Sequence, residues 1–320
     1  MVNSNSAKQS EPVSQDLLST SQIVEMSGVT RDVLRKWEER YGFPVSLKTH
    51  TGECAYHRRD IEKLNLIRRL IAEGCRPRDV VGASLGDLQR LAQSYALEVE
   101  PEDEVLIQAV LDTLEGSRAY RLFSILHKAL MAEGLYPFAT QTVAKLNRIV
   151  GDLWLGGELS VYQEHIYTQT VHSVLDQAIL SLKTPIDVPR VLIATPPGEL
   201  HTISLKMLEA VLALEGIFAI NAGSQLPVSE LKTAVTDHGI DAIAISFSSA
   251  CSKRDANAFF VDLVSALPQD TLIWCGGQGA RGLSADNIKS STRCFEGFED
   301  FSRYLQTEKP LAKSTTFLGV

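Results

Sequence analysis

Four short apolar runs, separated by helical patterns, dominate the C-terminal third of the chain. They are VLIA (191–194), IFAI (217–220), IDAIAISF (240–247) and TLIWC (271–275). Apolar runs that alternate with helices are typical of a parallel sheet covered by helices. We therefore predict a Rossmann-like, doubly wound parallel-sheet domain over residues 190–307, closed by one more strand and helix, and a C-terminal tail at 308–320.

The loops after these runs are rich in small and polar residues. They read TPPGELHT, NAGSQLP, SSACS and GGQGA. In such folds ligands bind at the carboxyl ends of the strands. The sequence therefore predicts a ligand site where these four loops meet.

Helical patterns fill residues 86–184, with breaks at Pro101, Gly116, Gly134 and Gly156-Gly157. The apolar positions that mark helical faces are Ile107, Val110, Leu114, Leu122, Leu126 and Leu130. Faces of this kind pack into bundles. We predict a four-helix bundle in the middle of the chain.

Two short helical patterns, SQIVEMSG and TRDVLRKWEERYG, follow a polar start. Two helices joined by a glycine-containing turn are typical of a helix-turn-helix. The next segment, FPVSLKTHTGECAY, has no helical period and suits a β-wing. We predict a disordered tail at 1–19 and a winged helix-turn-helix domain at 20–84, with Trp37 in its core, so that the chain is a multidomain α and α/β protein.

Charge and composition limit the function classes. The net charge is -8, but residues 21–80 carry twelve Lys and Arg against nine Asp and Glu. No stretch approaches the roughly 20 apolar residues that a membrane-spanning helix needs. The first residues lack the apolar core of a signal peptide. We expect a cytoplasmic protein with no membrane partner. The five cysteines include no C-x-x-C pair, so we expect reduced thiols.

The N-terminal motifs resemble those of MerR-family regulators. The likeness runs from VTRDVLRKWEERYGFP (29–44) through GECAY (52–56) to RRDIEKL (58–64). It implies binding to a double-stranded DNA operator. We expect base-edge contacts from Arg31, Arg35 and Lys36, and phosphate contacts from Arg40, Tyr41, Lys48, Tyr56 and Arg58. In the wing, Cys54 and Ser46-Leu47-Lys48 replace an arginine and a Pro-x-Arg of the family pattern.

The segment PPGELH (196–201) is similar to the cobalamin-binding loop of light-responsive MerR-type regulators of the CarH/LitR group. The resemblance makes His201 the lower axial ligand of cobalt, with Glu199 bonded to the other ring nitrogen. Ser204 stands where the family motif ends in glycine. We expect the nucleotide tail of the cofactor to contact Ser204, Ser246, Ser248, Gly276, Gly277 and Gln278.

The spacing of Trp154 from Glu164-His165 reproduces the W-x(9)-E-H pattern of the same group. It implies that Trp154 packs over the upper face of the cofactor and that Glu164 and His165 hydrogen-bond the upper group. The residue after the tryptophan is Leu155, where some relatives have histidine.

Taken together, the resemblance implies a non-enzymatic DNA-binding transcriptional regulator and repressor that senses light through adenosyl- or methylcobalamin. Its oligomeric state, a homodimer or homotetramer, would be coupled to DNA affinity. One alternative is a MerR-type regulator whose C-terminal half has lost cobalamin and acts as a protein-interaction, redox or haem-sensing domain. Another is a component of a cobalamin-dependent methyltransferase, although nothing here is long enough to be its substrate barrel.

Overall fold

The computed structural model describes residues 16–49, 52–73, 75–94, 101–116, 118–182, 189–248, 251–281, 283, 291–308 and 310–311. These residues form two compact units. The N-terminal unit comprises the described residues up to 94 together with Asp152–Leu159, and the C-terminal unit comprises the rest.

The N-terminal unit contains the predicted helix-turn-helix. Helix α1 (Thr20–Ser27) begins with a capping box between Ser19 and Gln22 and ends at Gly28, whose φ is 64°. Helix α2 (Arg31–Tyr41) ends at Gly42. The left-handed backbone of Gly28 favours glycine, and a Cβ added there would lie 1.6 Å from Nη1 of the Arg68 side chain, which would have to move.

A small antiparallel sheet completes the wing. Its strands are β1 (Leu17–Ser19), β2 (Leu47–Lys48) and β3 (Cys54–His57), in the order β1-β3-β2. The prediction of a disordered tail was wrong for residues 17–19, because β1 pairs with β3 and buries Leu18. Strand β1 has only three residues, which are too few for an alternating pattern to be recognised in the sequence. Residues 1–15 lie outside the described part of the chain.

Three further helices belong to this unit: α3 (Asp60–Ala72), α4 (Pro77–Val80) and α5 (Leu85–Ser94). Leu88 and Ala92 of α5 share one core with Leu34 and Trp37 of α2. The prediction that the middle bundle starts at residue 86 is therefore corrected. A helical period shows that a helix has an apolar face, but not which neighbour covers it.

The helical part of the C-terminal unit has the predicted bundle. Its segments are α6 (Pro101–Glu115), a short 3-10 turn (Ala119–Arg121), α7 (Leu122–Glu133), α8 (Leu135–Pro137), a π turn (Phe138–Thr142), α9 (Val143–Gly156) and α10 (Val161–Ser181). The last residues of α9, from Asp152, count with the N-terminal unit. Val110, Leu114, Leu122, Leu126 and Leu130 are all buried.

The α/β part confirms the parallel, doubly wound sheet. Its strands are β4 (Arg190–Ala194), β5 (Phe218–Gly223), β6 (Ala242–Ser246), β7 (Leu272–Gly276) and β8 (Thr292–Cys294). Its helices are α11 (Ile203–Leu214), α12 (Val228–His238), α13 (Lys253–Ala266) and α14 (Phe298–Glu308). Alternate residues of β4 face α11 and α14 on one side and α12 and α13 on the other.

The strand order is β5-β4-β6-β7-β8, with parallel pairing throughout. The chain changes direction across the sheet between β4 and β6. Ligands of open α/β sheets bind in the crevice at such a switch point. The loops after β4 and β6 therefore border the expected site.

Candidate functional site

The loop after β4 is shaped by its own hydrogen bonds. Thr195 Oγ1 donates to the carbonyl of Glu199 at 2.7 Å and accepts from the Gln225 amide at 3.0 Å. Gly198 has a φ of 85°, a conformation that glycine adopts without strain. The loop therefore buries Glu199, which is 2% exposed, and leaves the side chain of His201 63% exposed.

The carboxylate of Glu199 contacts both the imidazole and the backbone amide of His201. One carboxylate oxygen lies 2.5 Å from Nδ1 and accepts from the His201 amide at 2.9 Å. The other accepts from the Ser248 amide, after β6, at 3.1 Å. With its proton fixed on Nδ1, the neutral ring has its lone pair on Nε2, which is the form that ligates a metal.

The carboxyl group of Glu199 is ionised at neutral pH. Burial alone would raise its pKa, but hydrogen bonds from His201 and Ser248 lower the pKa by more than burial raises it. The result is a pKa of about 2 against an ordinary value of 4.5. A buried charge that is stabilised in this way fixes the ring orientation of His201.

The predicted serines lie at the same switch point. Ser204, on α11, and Ser246, at the end of β6, are joined by a hydroxyl–hydroxyl hydrogen bond of 2.9 Å. Ser248 Oγ lies 3.5 Å from His201 Nδ1. The structure therefore brings together Glu199, His201, Ser204, Ser246 and Ser248.

One residue of the glycine loop after β7 packs closely against the protein's own backbone. A Cβ on Gly277 would lie 2.3 Å from the carbonyl oxygen of Phe247, and nothing lies within 4 Å of a Cβ on Gly276. Gly277 thus allows close approach of the protein's own backbone, and contact of this loop with the nucleotide tail stays a prediction. Gln278 is exposed on a short 3-10 turn (Gln278–Ala280).

The three residues of the W-x(9)-E-H pattern lie in different units. Glu164 and His165, on α10, are in contact through a carboxylate oxygen 2.6 Å from Nδ1, and His165 is 70% exposed. Trp154 counts with the N-terminal unit, where the guanidinium of Arg68 lies 5.2 Å from its ring centroid. Their contact with a cofactor stays a prediction.

Sequence reasoning missed a polar cluster between α10 and α11. Lys206 contacts Asp176 at 2.6 Å and Glu209 at 2.7 Å, and His172 Nε2 lies 3.4 Å from Thr202 Oγ1. Burial, helped by the charge of Lys206, lowers the pKa of His172. Spacings of three and four residues indicated pairs within each helix, but only the fold shows that the helices meet next to His201.

The expected DNA-contacting surface is largely exposed. The exposed cations are Arg31, Arg35, Lys36, Arg40, Lys48 and Arg58, and Tyr41 is partly buried. Tyr56 is only 4% exposed and lies in the core, so its assignment to phosphate contact is corrected. The sequence could not show which face of so short a strand is covered.

Two residues of the wing that depart from the MerR pattern have hydrogen-bond partners in the domain. Ser46 donates through its amide and its hydroxyl to one Glu38 oxygen, at 2.7 and 2.8 Å. Lys48 Nζ donates to Cys54 Sγ at 3.3 Å. Each substituted residue therefore contacts another part of the domain.

A corrinoid fits the donor set at the β4–β6 switch point. The exposed imidazole offers one nitrogen ligand, the buried carboxylate fixes its tautomer, and the hydroxyl groups of Ser204 and Ser246 lie at the same switch point. The imidazole and the carboxylate are the ligand and the supporting group that a metal-bound histidine requires.

Among the described residues, no helix is both long and apolar enough to cross a membrane.

Comparisons with known proteins agree with both halves of this description. Residues 18–84 match the MerR HTH family regulatory protein model, and residues 105–179 match a B12 binding domain model. Some solved corrinoid-related proteins have low structural similarity. The Methanosarcina barkeri monomethylamine corrinoid protein has a TM-score of 0.48 and 13% identity, covering 65% of this chain and 99% of that one. A cobalamin-binding protein from Desulfitobacterium hafniense has a TM-score of 0.30 and 17% identity, covering 63% and 97%. At these scores the likeness decides nothing.

Two repressors from Myxococcus xanthus are similar over most of the chain. The HTH-type transcriptional repressor CarH is 28% identical over 88% of this chain and 96% of its own length. The HTH-type transcriptional repressor CarA is 26% identical over 81% and 86%. The chain is therefore a homologue of CarH and CarA that joins a MerR-type helix-turn-helix domain to a B12-binding domain.

Proposed function

We propose that this chain is a transcriptional repressor whose DNA affinity is set by a cobalamin held at the β4–β6 switch point. The observation that carries the proposal is the buried, ionised Glu199 that holds Nδ1 of His201. The carboxylate also joins the loops after β4 and β6 through the His201 and Ser248 amides. A carboxylate on Nδ1 is the arrangement that orients a metal-bound imidazole and raises its basicity.

In this proposal His201 would bind the cobalt, and Ser204, Ser246 and Ser248 would contact the nucleotide tail. Trp154, Glu164 and His165 would contact the light-sensitive group. Bound adenosyl- or methylcobalamin would supply a cobalt–carbon bond that light can break. The homology to two repressors fits a non-enzymatic role.

Contacts of Trp154 suggest how the cofactor site influences the DNA-binding helices. Its ring lies against Arg68, and Arg68 Nη1 donates to the carbonyl of Ser27, the last residue of α1, at 2.8 Å. The neighbouring Arg69 forms an ion pair of 2.8 Å with Asp152. A displacement of Trp154 would therefore disturb the end of the first DNA-binding helix.

A change of assembly state would add to this effect. Linkage requires that the cofactor bind one state more tightly than the other. We propose that the loaded protein forms a dimer or tetramer with high operator affinity and that illumination lowers both. Arg31, Arg35 and Lys36 then read base edges, and Arg40, Tyr41, Lys48 and Arg58 hold phosphates.

The test uses the full chain purified in darkness with adenosylcobalamin. We expect a corrinoid absorption spectrum that survives gel filtration, and its loss in His201→Ala. His238→Ala, an exposed histidine at the end of α12, is the matched control. If wild type and both variants retain equally little cobalamin, the C-terminal unit has another role, such as protein interaction or haem sensing.

A second measurement tests the response. Gel shift and light scattering are run on the loaded protein in darkness and after green illumination. We expect lower operator affinity and smaller assemblies after light, and a weaker response in Arg68→Gln. Unchanged assembly and DNA binding would contradict light sensing without contradicting cobalamin binding.

A further inference from the structure

Two cysteines lie side by side at the C-terminal ends of β7 and β8. Cys275 is directly opposite Cys294 in the parallel register, and the Phe295 amide donates to the Cys275 carbonyl at 2.8 Å. Residues that pair across a sheet project to the same face. The two thiols are close enough for each to shift the pKa of the other.

The spacing of the strands suits a bond between these sulfurs. Neighbouring strands lie about 4.8 Å apart. Disulfides join residues whose Cα atoms are roughly 4.4–6.8 Å apart. Directly paired cysteines on adjacent strands therefore satisfy the first geometric requirement without a large backbone movement.

The two thiols differ in exposure. Cys275 is 1% exposed and packs in the core beneath α13 with Ile273 and Phe247. Cys294 is exposed, on the strand at the edge of the sheet. Cys294 is thus the thiol of the pair that a solute reaches more readily.

Their chemistry differs in the same direction. A hydrogen bond from Cys275 lowers the pKa of Cys294, because it stabilises the thiolate. The same hydrogen bond, together with burial, raises the pKa of Cys275 well above its ordinary value. An exposed thiol with more thiolate character, next to a protonated thiol, is the arrangement of a reactive cysteine and its resolving partner.

We propose that Cys294 and Cys275 form a redox modification site that a hydroperoxide converts to a disulfide. The Cys294 thiolate attacks the peroxide, so that the O–O bond breaks, a sulfenic acid forms on Cys294 and hydroxide leaves. The Cys275 sulfur then attacks the Cys294 sulfur, the S–O bond breaks, and water leaves with the Cys275 proton. The pair loses two electrons to the peroxide, and a dithiol returns them.

The site is coupled through the backbone to the β4–β6 switch point. Gly276, next to Cys275, accepts a hydrogen bond from the Phe247 amide at 3.0 Å. The following residue, Ser248, donates its amide to Glu199. A disulfide between β7 and β8 would therefore form next to the loops that support His201. The inference stands on the thiol pair alone and is independent of the proposed function.

The experiment treats the reduced full chain with stoichiometric hydrogen peroxide, blocks the remaining thiols with an alkylating agent, and digests with trypsin. Cleavage after arginine places Cys275 in the peptide 255–281 and Cys294 in the peptide 294–303. We expect these two peptides to be joined, and to separate when dithiothreitol is added before digestion.

Two variants separate the roles of the thiols. Cys294→Ser should abolish oxidation of Cys275, whereas Cys275→Ser should stop at a sulfenic acid on Cys294 that dimedone traps. Cys54→Ser, at a partly exposed cysteine of the wing, is the matched control and should leave the joined peptides unchanged.

The unmodified protein gives a check that needs no variant. In native alkylation Cys294 should react at least about 10-fold faster than Cys275. Over-oxidation of Cys294 with Cys275 left free, or equal slow alkylation of both, would overturn the proposal.

Discussion

The C-terminal unit contains two histidine–carboxylate pairs that look alike in sequence and differ in structure. In both, a carboxylate oxygen lies near Nδ1, at 2.5 Å for Glu199 and His201 and 2.6 Å for Glu164 and His165. The side chain of Glu199 is 2% exposed, while that of Glu164 is 27% exposed. Contacts of similar length can therefore fix the ring of His201 and leave the ring of His165 free to change its orientation.

The partners explain the difference. Glu199 also accepts from two backbone amides, one of them 49 residues away on the loop after β6. Glu164 accepts from Thr168 one turn along its own helix. We infer that the Glu199–His201 pair, here called the lower pair, is built before a ligand arrives. The Glu164–His165 pair, here called the upper pair, takes its final geometry from what it contacts.

The largest difference between the two pairs should appear in how their contribution to the free energy of unfolding changes at acid pH. The folded pKa of Glu199 is about 2 against 4.5, so its stabilisation is complete above about pH 4.5 and is lost as the pH falls towards 2. A shift of this size corresponds to on the order of 3 kcal/mol. We expect the stability gap between wild type and Glu199→Gln to shrink by that amount between about pH 5 and pH 2.

Hydrogen exchange of the segment 190–248 in increasing denaturant would measure this gap. Glu164→Gln, at a carboxylate bonded within its own helix, serves as the control and should leave the stability of the segment 190–248 unchanged. Parallel pH profiles for wild type and Glu199→Gln would show that the buried carboxylate is not held as we describe.

Cobalamin affinity should separate the pairs next. Loss of a carboxylate that orients a metal-bound histidine typically weakens metal binding by about 10- to 100-fold. We expect this loss in Glu199→Gln and a change of less than about threefold in Glu164→Gln, both from absorption titrations with adenosylcobalamin. The reverse order would mean that the upper pair, not the lower one, holds the cofactor.

The smallest effect concerns Ser204. Ser204→Gly removes the hydrogen bond to Ser246, which is worth about 1 kcal/mol of stability. It also opens the crevice, so cobalamin affinity should rise by a few-fold at most. Ser204→Ala, which loses the hydroxyl alone, is the control, and thermal unfolding with the same titration measures both quantities. Binding that occurs only in the glycine variant would mean that Ser204 closes the site.

The sequence was informative where local pattern determines structure. The apolar runs predicted four of the sheet strands, and they placed the loop that carries His201 at the carboxyl end of the first of these strands. The proximity of Glu199 two residues earlier was also visible. Such features depend on neighbours along the chain, and a period of two or of 3.6 residues records them.

Contacts between distant segments were not visible. The Ser248 amide on Glu199, the Phe247 carbonyl against Gly277, and the burial of Tyr56 all depend on which strands pair. Helix α5 has an apolar face that suits a bundle equally well, and only the fold places it beneath the DNA-binding helices. The role of His201 as a metal ligand stays a prediction.

The most direct test of the central claim identifies the nitrogen beneath cobalt. Protein labelled with nitrogen-15 histidine is loaded with cobalamin, reduced to the cobalt(II) state and measured by electron paramagnetic resonance. We predict that each cobalt line is split into a doublet by the labelled imidazole and that His201→Ala abolishes the doublet. A triplet from the unlabelled benzimidazole of the cofactor in the wild type would contradict the account.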